Sequence, residues 1–212
     1  MKLVVISPEQ DDPRETAVLG ALFASGLERY HVRKPHWPAA QLETWLRTLP
    51  EEWRPRLVLH QHHELVAKFN LGGCHWRDEK GGARCPQRAE SVLGTSRSTF
   101  TSRSCHDLAT LRAALGRYDS VFFGPVFPSF SKPGYGPSDN FSTSELSLLL
   151  SSRTANERHT AVLALGGVTA ARLPQVRALG FDGVAVLGAA WQAADPVAAF
   201  CEIQDAIYAH AA

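Results

Sequence analysis

Short apolar runs alternate with helix-length segments along the whole chain, and this alternation constrains the fold more than any other feature. The runs are Leu3 to Ile6, Leu27 to Arg33, Arg56 to His60, Cys74 to Trp76, Thr99 to Ser104, Ser120 to Phe123, Ala161 to Leu165 and Val184 to Leu187. Helices are predicted over Glu15 to Ala24 (amphipathic), Ala39 to Leu49, Glu64 to Asn70, His106 to Leu115, Ser144 to Leu150, Ala170 to Gly180 and Asp195 to Ala209. Leu-Gly precedes a strand at Leu71-Gly72, Leu115-Gly116 and Leu179-Gly180, one unit of helix, glycine C-cap and buried strand repeated. Apolar strands separated by helices mean a parallel sheet covered on both faces. Eight strand runs favour closure into a single-domain (β/α)8 barrel, a TIM barrel, over residues 1–212. The fourth βα unit is degenerate: residues 77–98 are polar, carry Gly81-Gly82 and Pro86, and show no helical period.

Two turns stand out within this plan. Gly166-Gly167 follows the seventh strand and Gly188 the eighth, with Thr169 offered as an N-cap between them. Glycine lets backbone N–H groups point at a ligand, and a helix N-terminus behind each turn adds partial positive charge. In such barrels the loops after strands 7 and 8 commonly bind phosphate. The bland alternative is two ordinary turns in which glycine permits the bend.

Function in a barrel gathers at the C-terminal ends of the strands. There the sequence places His31 and Arg33 (strand 2), His60 and His62 (strand 3), His75 (strand 4), Ser104 and His106 (strand 5), and Lys132 in a Gly/Pro/Ser loop over residues 129–140, a candidate lid. The two-residue period puts His31 with Arg33, and His60 with His62, on shared faces. Imidazoles around one mouth with two cations suit proton movement on an anionic substrate near neutral pH. Singly, each is a polar rim residue or a solvated surface group. His60, His62 and His75, with Cys74 or Cys105 near, are residue types that suit zinc, but they show no standard ligand spacing and no metal ligand is expected.

Composition excludes several classes. The formal net charge is +1, so no nucleic-acid surface is implied. Four cysteines without a CxxC pair fit a reducing cytosol. The first apolar run breaks at Pro8, too short for a signal segment or membrane span. The expectation is a cytoplasmic protein with no membrane partner; a homo-oligomer is left open.

Taken together, five pieces resemble the thiamine phosphate synthase and thiazole tautomerase (TenI-like) family over nearly the whole chain. They are His31-Val32-Arg33, Ser104-Cys105-His106-Asp107, the run from Phe123 to Lys132, Leu165-Gly166-Gly167-Val168 and Val184 to Gly188. The resemblance implies a (β/α)8 barrel binding a small-molecule thiazole phosphate through backbone at Gly166, Gly167, Leu187 and Gly188. The synthase branch joins a pyrimidine pyrophosphate to that thiazole and needs Mg2+, hence oxygen ligands. Its Asn-Asp pair after strand 3 aligns with His60-Gln61, its strand 4 Asp with Lys80 (Asp78 and Glu79 are adjacent), and its strand 2 Arg-Glu-Lys run with Arg33-Lys34-Pro35. Ser129, Ser131 and Lys132 are retained and could contact a pyrophosphate. The tautomerase branch aromatises a thiazole carboxylate phosphate and needs no cofactor. His106 matches its acid/base, with Ser104 and Arg103 matching beside it, and Arg33 or Lys132 would hold the carboxylate. Gly124-Pro125 is synthase-like, and His60-Gln61-His62-His63 fits neither branch. The expected function is therefore tautomerase-like proton transfer, with catalytic His106, Arg33 and Lys132, and with His31, His60, Ser104, Ser129, Ser131 and the four phosphate-loop positions binding substrate. The alternatives are a true synthase and a non-catalytic phosphate-ligand binder.

Overall fold

A computed structural model describes residues 1–77, 99–128, 136 and 141–209. Eight parallel strands close into a barrel in sequence order, each paired with its neighbours and β1 with β8. They are β1 Lys2–Ile6, β2 Tyr30–Val32, β3 Leu57–Leu59, β4 Gly73–Trp76, β5 Phe100–Cys105, β6 Ser120–Phe123, β7 Ala161–Leu165 and β8 Gly183–Val186. The helices are α1 Glu15–Ala24, α2 Ala39–Thr48, α3 Glu64–Phe69, α4 Leu108–Ala114, α5 Thr143–Ser151, α6 Leu173–Ala178, α7 Gly188–Trp191 and α8 Pro196–Tyr208. The degenerate fourth helix expected within 77–98 and most of the 129–140 loop lie outside the described residues.

Several local expectations are corrected. The segment from Ala170 is not one helix: a 3-10 turn, Ala170–Arg172, leads into α6, with Pro174 in its first turn. Thr169 occupies the cap position in extended backbone, but its side chain accepts no capping bond. The helix after β5 starts later than predicted because Asp107, not His106, caps it, accepting the Thr110 N–H at 2.8 Å. Helix α1 is not amphipathic. It is apolar nearly throughout and buries a carboxylate, Glu15, along with Leu19, Leu22 and Phe23.

The two-residue period sorts the strands cleanly. Tyr30, Val32, Leu57, Leu59 and Cys74 face the helices in the main apolar cluster, whereas Val4, Ile6, Phe122, Leu163 and Ala185 fill part of the barrel interior as a second cluster. The registers His31↔Val58, Val58↔Gly73 and His75↔Ser102 put the intervening residues of β2 to β5 inside as well. The interior is thus apolar beside β1, β6, β7 and β8 and polar beside β2 to β5. Small residues let the strands approach: a Cβ on Gly73 would sit 2.2 Å from the Phe100 carbonyl oxygen. At the opposite end, Arg153 bonds both carboxylate oxygens of Asp182 at 2.7 and 3.1 Å, tying the start of β8 to the segment after α5.

Candidate active site

The polar half of the interior holds three histidines in mutual contact. His31, His60 and His75 are 0%, 7% and 0% exposed. His31 Nδ1 lies 3.1 Å from His60 Nε2, so one ring N–H donates to the other ring. His60 stacks on His75 with centroids 3.9 Å apart and planes 17° from parallel. His75 reaches Ser102 Oγ through Nδ1 at 2.9 Å and Ser104 Oγ through Nε2 at 2.8 Å. Phe122 packs against both His31 and His75, with centroids 4.7 Å away in each case. His31 Nε2 is buried without a hydrogen-bond partner, a condition that costs about 1–3 kcal/mol for a polar atom.

Burial dominates the protonation of this cluster. His31 is held down to about 3 by desolvation and then by the Arg29 charge. His60 and His75 also lie well below the ordinary histidine range, first from burial and then because each charged imidazole would repel the next. All three are neutral at pH 7. On unfolding each recovers a value near 6.5 and takes up a proton below it. Their contribution is therefore complete above about pH 6.5 and is lost as pH falls towards their native values. The urea midpoint should drop steadily from pH 7.5 to pH 5, and His31→Gln should flatten that slope. A midpoint constant over this range would contradict the account.

The other sequence-predicted residues divide. His62 does not join His60. Its backbone is left-handed, with φ 54°, and its Nε2 lies 2.9 Å from the Trp37 carbonyl oxygen, outside the barrel. Cys74 and Cys105 face the helices, so neither they nor His62 can join His60 and His75 in a zinc site. His31 and Arg33 also separate: His31 points into the interior, whereas Arg33 stands at the mouth in an ion pair with Glu9. Lys34, the lysine displaced by one position, is wholly buried. Its Nζ bonds Glu15 Oε2 at 2.5 Å and the Pro8 carbonyl at 2.9 Å, and Glu15 accepts from the Tyr30 hydroxyl at 2.8 Å. That lysine is structural. Lys132, Ser129, Ser131, Asp78, Glu79 and Lys80 lie outside the described residues.

His106 sits at the end of β5 with Nδ1 2.5 Å from the Gly124 carbonyl oxygen. A carbonyl only accepts, so Nδ1 carries the proton. In the neutral ring Nε2 then holds the lone pair. Across the mouth, Gly166 and Gly167 adopt φ 93° and 62°, which L side chains rarely reach. A Cβ on Gly166 would lie 2.7 Å from Pro125 Cβ, and one on Gly167 2.3 Å from the Pro128 carbonyl oxygen. Glycine here thus serves the close approach of the segment after β6 as well as the backbone turn. Gly188 opens the four-residue α7, with Leu187 before it at φ −129°, ψ −74°.

A cavity of about 670 Å³ opens over the β2 to β5 side. His60 and His75 line it together with Trp37, Trp76, Tyr118, Arg77 and Arg103. Arg103 is among the residues that carry the resemblance, but the aromatic walls and Arg77 were not singled out from sequence, because Trp37 and Tyr118 lie on connections whose packing has no local signature. The donor set matters for Mg2+. This ion prefers six oxygens in near-octahedral geometry. The β3 end supplies imidazoles and one amide, Gln61, whose Nε2 donates to the Lys34 carbonyl at 2.5 Å. The described residues do not fit Mg2+.

Among the described residues no helix is long and apolar enough to cross a membrane. The family model for thiamine monophosphate synthase matches residues 3–190. A putative thiamine-phosphate synthase of Geobacter sulfurreducens is 29% identical over 184 residues, covering 85% of this chain and 81% of the relative. The thiamine-phosphate synthase of Salinispora tropica is 34% identical over 153 residues, covering 71% and 67%. The crystal structure of thiamine phosphate pyrophosphorylase from Bacteroides thetaiotaomicron superposes with a TM-score of 0.76 at 26% identity, over 99% of each chain. With the barrel closed in sequence order and the match running through all eight strands, the chain belongs to the thiamine monophosphate synthase family and is an enzyme of it.

Proposed function

We propose that this enzyme acts on a thiazole phosphate by proton transfer, in the manner of the tautomerase branch, rather than by Mg2+-assisted displacement of pyrophosphate. The observation that carries this reading is the hydrogen bond from His106 Nδ1 to the Gly124 carbonyl, which orients the ring and leaves Nε2 as the nitrogen not engaged in that contact. The phosphate would rest on backbone at Gly166, Gly167, Leu187 and Gly188. His106 Nε2 would take a proton from the saturated ring carbon and return one elsewhere on the π-system, leaving composition unchanged and the ring aromatic. Arg33 or Lys132 would hold the substrate carboxylate. For Arg33 this means exchanging its partner Glu9, and both side chains are partly exposed, at 27% and 29%. Ser104 would remain with His75, and His31 and His60 would form the floor of the heterocycle pocket rather than touch the phosphate.

A second reading keeps the synthase reaction, with Mg2+ on Asp78 or Glu79. The names of the relatives favour it. A coupled assay separates the two. Protein in Mg2+-free buffer receives the non-aromatic thiazole carboxylate phosphate, or thiazole phosphate with pyrimidine pyrophosphate, each with and without added Mg2+. Conversion of the first without Mg2+, and no thiamine phosphate from the second, is the expected result. Mg2+-dependent thiamine phosphate would overturn the tautomerase reading, and inactivity in both would leave phosphate-ligand binding alone.

A further inference from the structure

The interior cluster is more than an unusual way to fill a barrel. His31, His60 and His75 each offer a ring nitrogen, and the three ligand atoms all lie within 4.8 Å of one another. Three strands deliver them: β2 and β4 from their middles, and β3 from the residue just beyond its end. Rigid strands hold ligands more precisely than loops do. No carboxylate belongs to the group, so the donor set is all nitrogen.

We propose that His31, His60 and His75 form a binding site for a divalent transition-metal ion of the zinc class, within the barrel and distinct from any Mg2+ site. Three histidines with a fourth position left for water or a ligand group is the composition of catalytic zinc sites. Imidazole suits Zn2+, Co2+, Ni2+ and Cu2+, whereas Mg2+ takes oxygen. The surroundings agree. A ligating histidine normally donates its other N–H to an oxygen, and His75 has a serine hydroxyl at each nitrogen, so either can bind the ion while the other stays oriented. The Nδ1-to-Nε2 contact of 3.1 Å between His31 and His60 is a proton shared by two nitrogens, which an ion can replace with a small ring rotation. Ligation through Nδ1 would leave His31 Nε2 the unpartnered atom it already is, so the ion would cost that ring no hydrogen bond beyond the one it now shares with His60. Phe122 packs beneath His31 and His75, and His60 and His75 border the cavity, so that is the side from which an ion would enter. This inference does not depend on which reaction the enzyme performs.

The test is metal binding by the full chain, stripped with a chelator and dialysed against Zn2+ or Co2+ at neutral pH. Elemental analysis should find about one ion per chain. The cobalt form should show the visible bands of a four- or five-coordinate nitrogen site, and millimolar Mg2+ should not displace the ion. His60→Asn and His75→Gln should each weaken Zn2+ binding by more than about a hundredfold. A variant lacking the neighbouring outer histidines, His62→Ala with His63→Ala, should bind as the parent does. Zn2+ should also raise the thermal midpoint of the parent, a readout available even where an interior variant fails to fold. No ion taken up by the stripped parent would overturn the proposal. So would an octahedral cobalt spectrum, or loss of binding in the outer-histidine variant with retention in the interior ones.

Discussion

His106→Asn is expected to lower the rate of thiazole tautomerisation by about 10²–10⁴-fold, the range that one positioned proton-transfer group supplies. On the proposed mechanism, thiazole phosphate affinity should stay within about threefold, because the group lost would act in the transition state while the phosphate would rest on the backbone after β7 and β8. Asparagine is the informative replacement. Its amide can still donate to the Gly124 carbonyl, so the β5–β6 contact now made by Nδ1 survives. What disappears is the lone pair at Nε2. Single-turnover rates and direct binding measured on the same preparation separate chemistry from affinity. Equal rates for variant and parent would remove His106 from the mechanism, and a parallel loss of affinity would make it a binding residue.

Lys34→Met should destabilise the fold by about 3–5 kcal/mol, the usual consequence of removing one partner of a buried ion pair. Lys34 is 0% exposed and Glu15 4% at the side chain, 2.5 Å apart. Burial already outweighs the attraction of Lys34 and the Tyr30 hydroxyl, so the Glu15 carboxyl sits above its ordinary range. Without the lysine it rises further. A carboxyl with a raised native value loses stability as pH climbs past the unfolded value near 4.5, because only the unfolded chain then ionises freely. The deficit of the variant relative to the parent should therefore be largest at pH 7 and narrow towards pH 4.5. Pairing the change with Glu15→Leu should recover most of it, since neither charge is then stranded. Urea denaturation across pH measures both effects. A deficit below about 1 kcal/mol, typical of an exposed pair, would show that the lysine is not held as described.

These two residues also mark where sequence reading succeeds and where it stops. The position of His106 was legible because it directly follows a strand run, and the structure places it just past the end of β5; its acid/base role is what the family resemblance implies. Lys34 was not legible. Its partner Glu15 lies at the start of a helix nineteen residues earlier, and nothing in either segment announces that a lysine just past a strand end turns inward. The histidines show the same division. The two-residue period paired His60 with His62 on one face, and the structure separates them. The chain leaves the strand after Leu59, and the left-handed backbone at His62 rotates that ring away to Trp37. Alternation persists only while the ladder does, so it fails at strand ends, where function gathers.

The sequence by itself determined the barrel: apolar runs of strand length and helix-length segments between them leave few ways to cover a parallel sheet, although the glycine C-cap of the repeat holds only at Gly116 and Gly180, since Asn70 and not Gly72 ends α3 in the left-handed conformation. It also determined the glycine turn after β7, because Gly166 and Gly167 take positive φ, whereas Gly188 after β8 simply opens a helix. Only the tertiary structure decided which polar residues meet. Barrel closure joins β1 to β8 and fixes the stagger that sets His31, His60 and His75 side by side, and a one-residue slip of β2, β3 or β4 would send one of them outward. Register is a property of pairs of strands, and no single segment contains it.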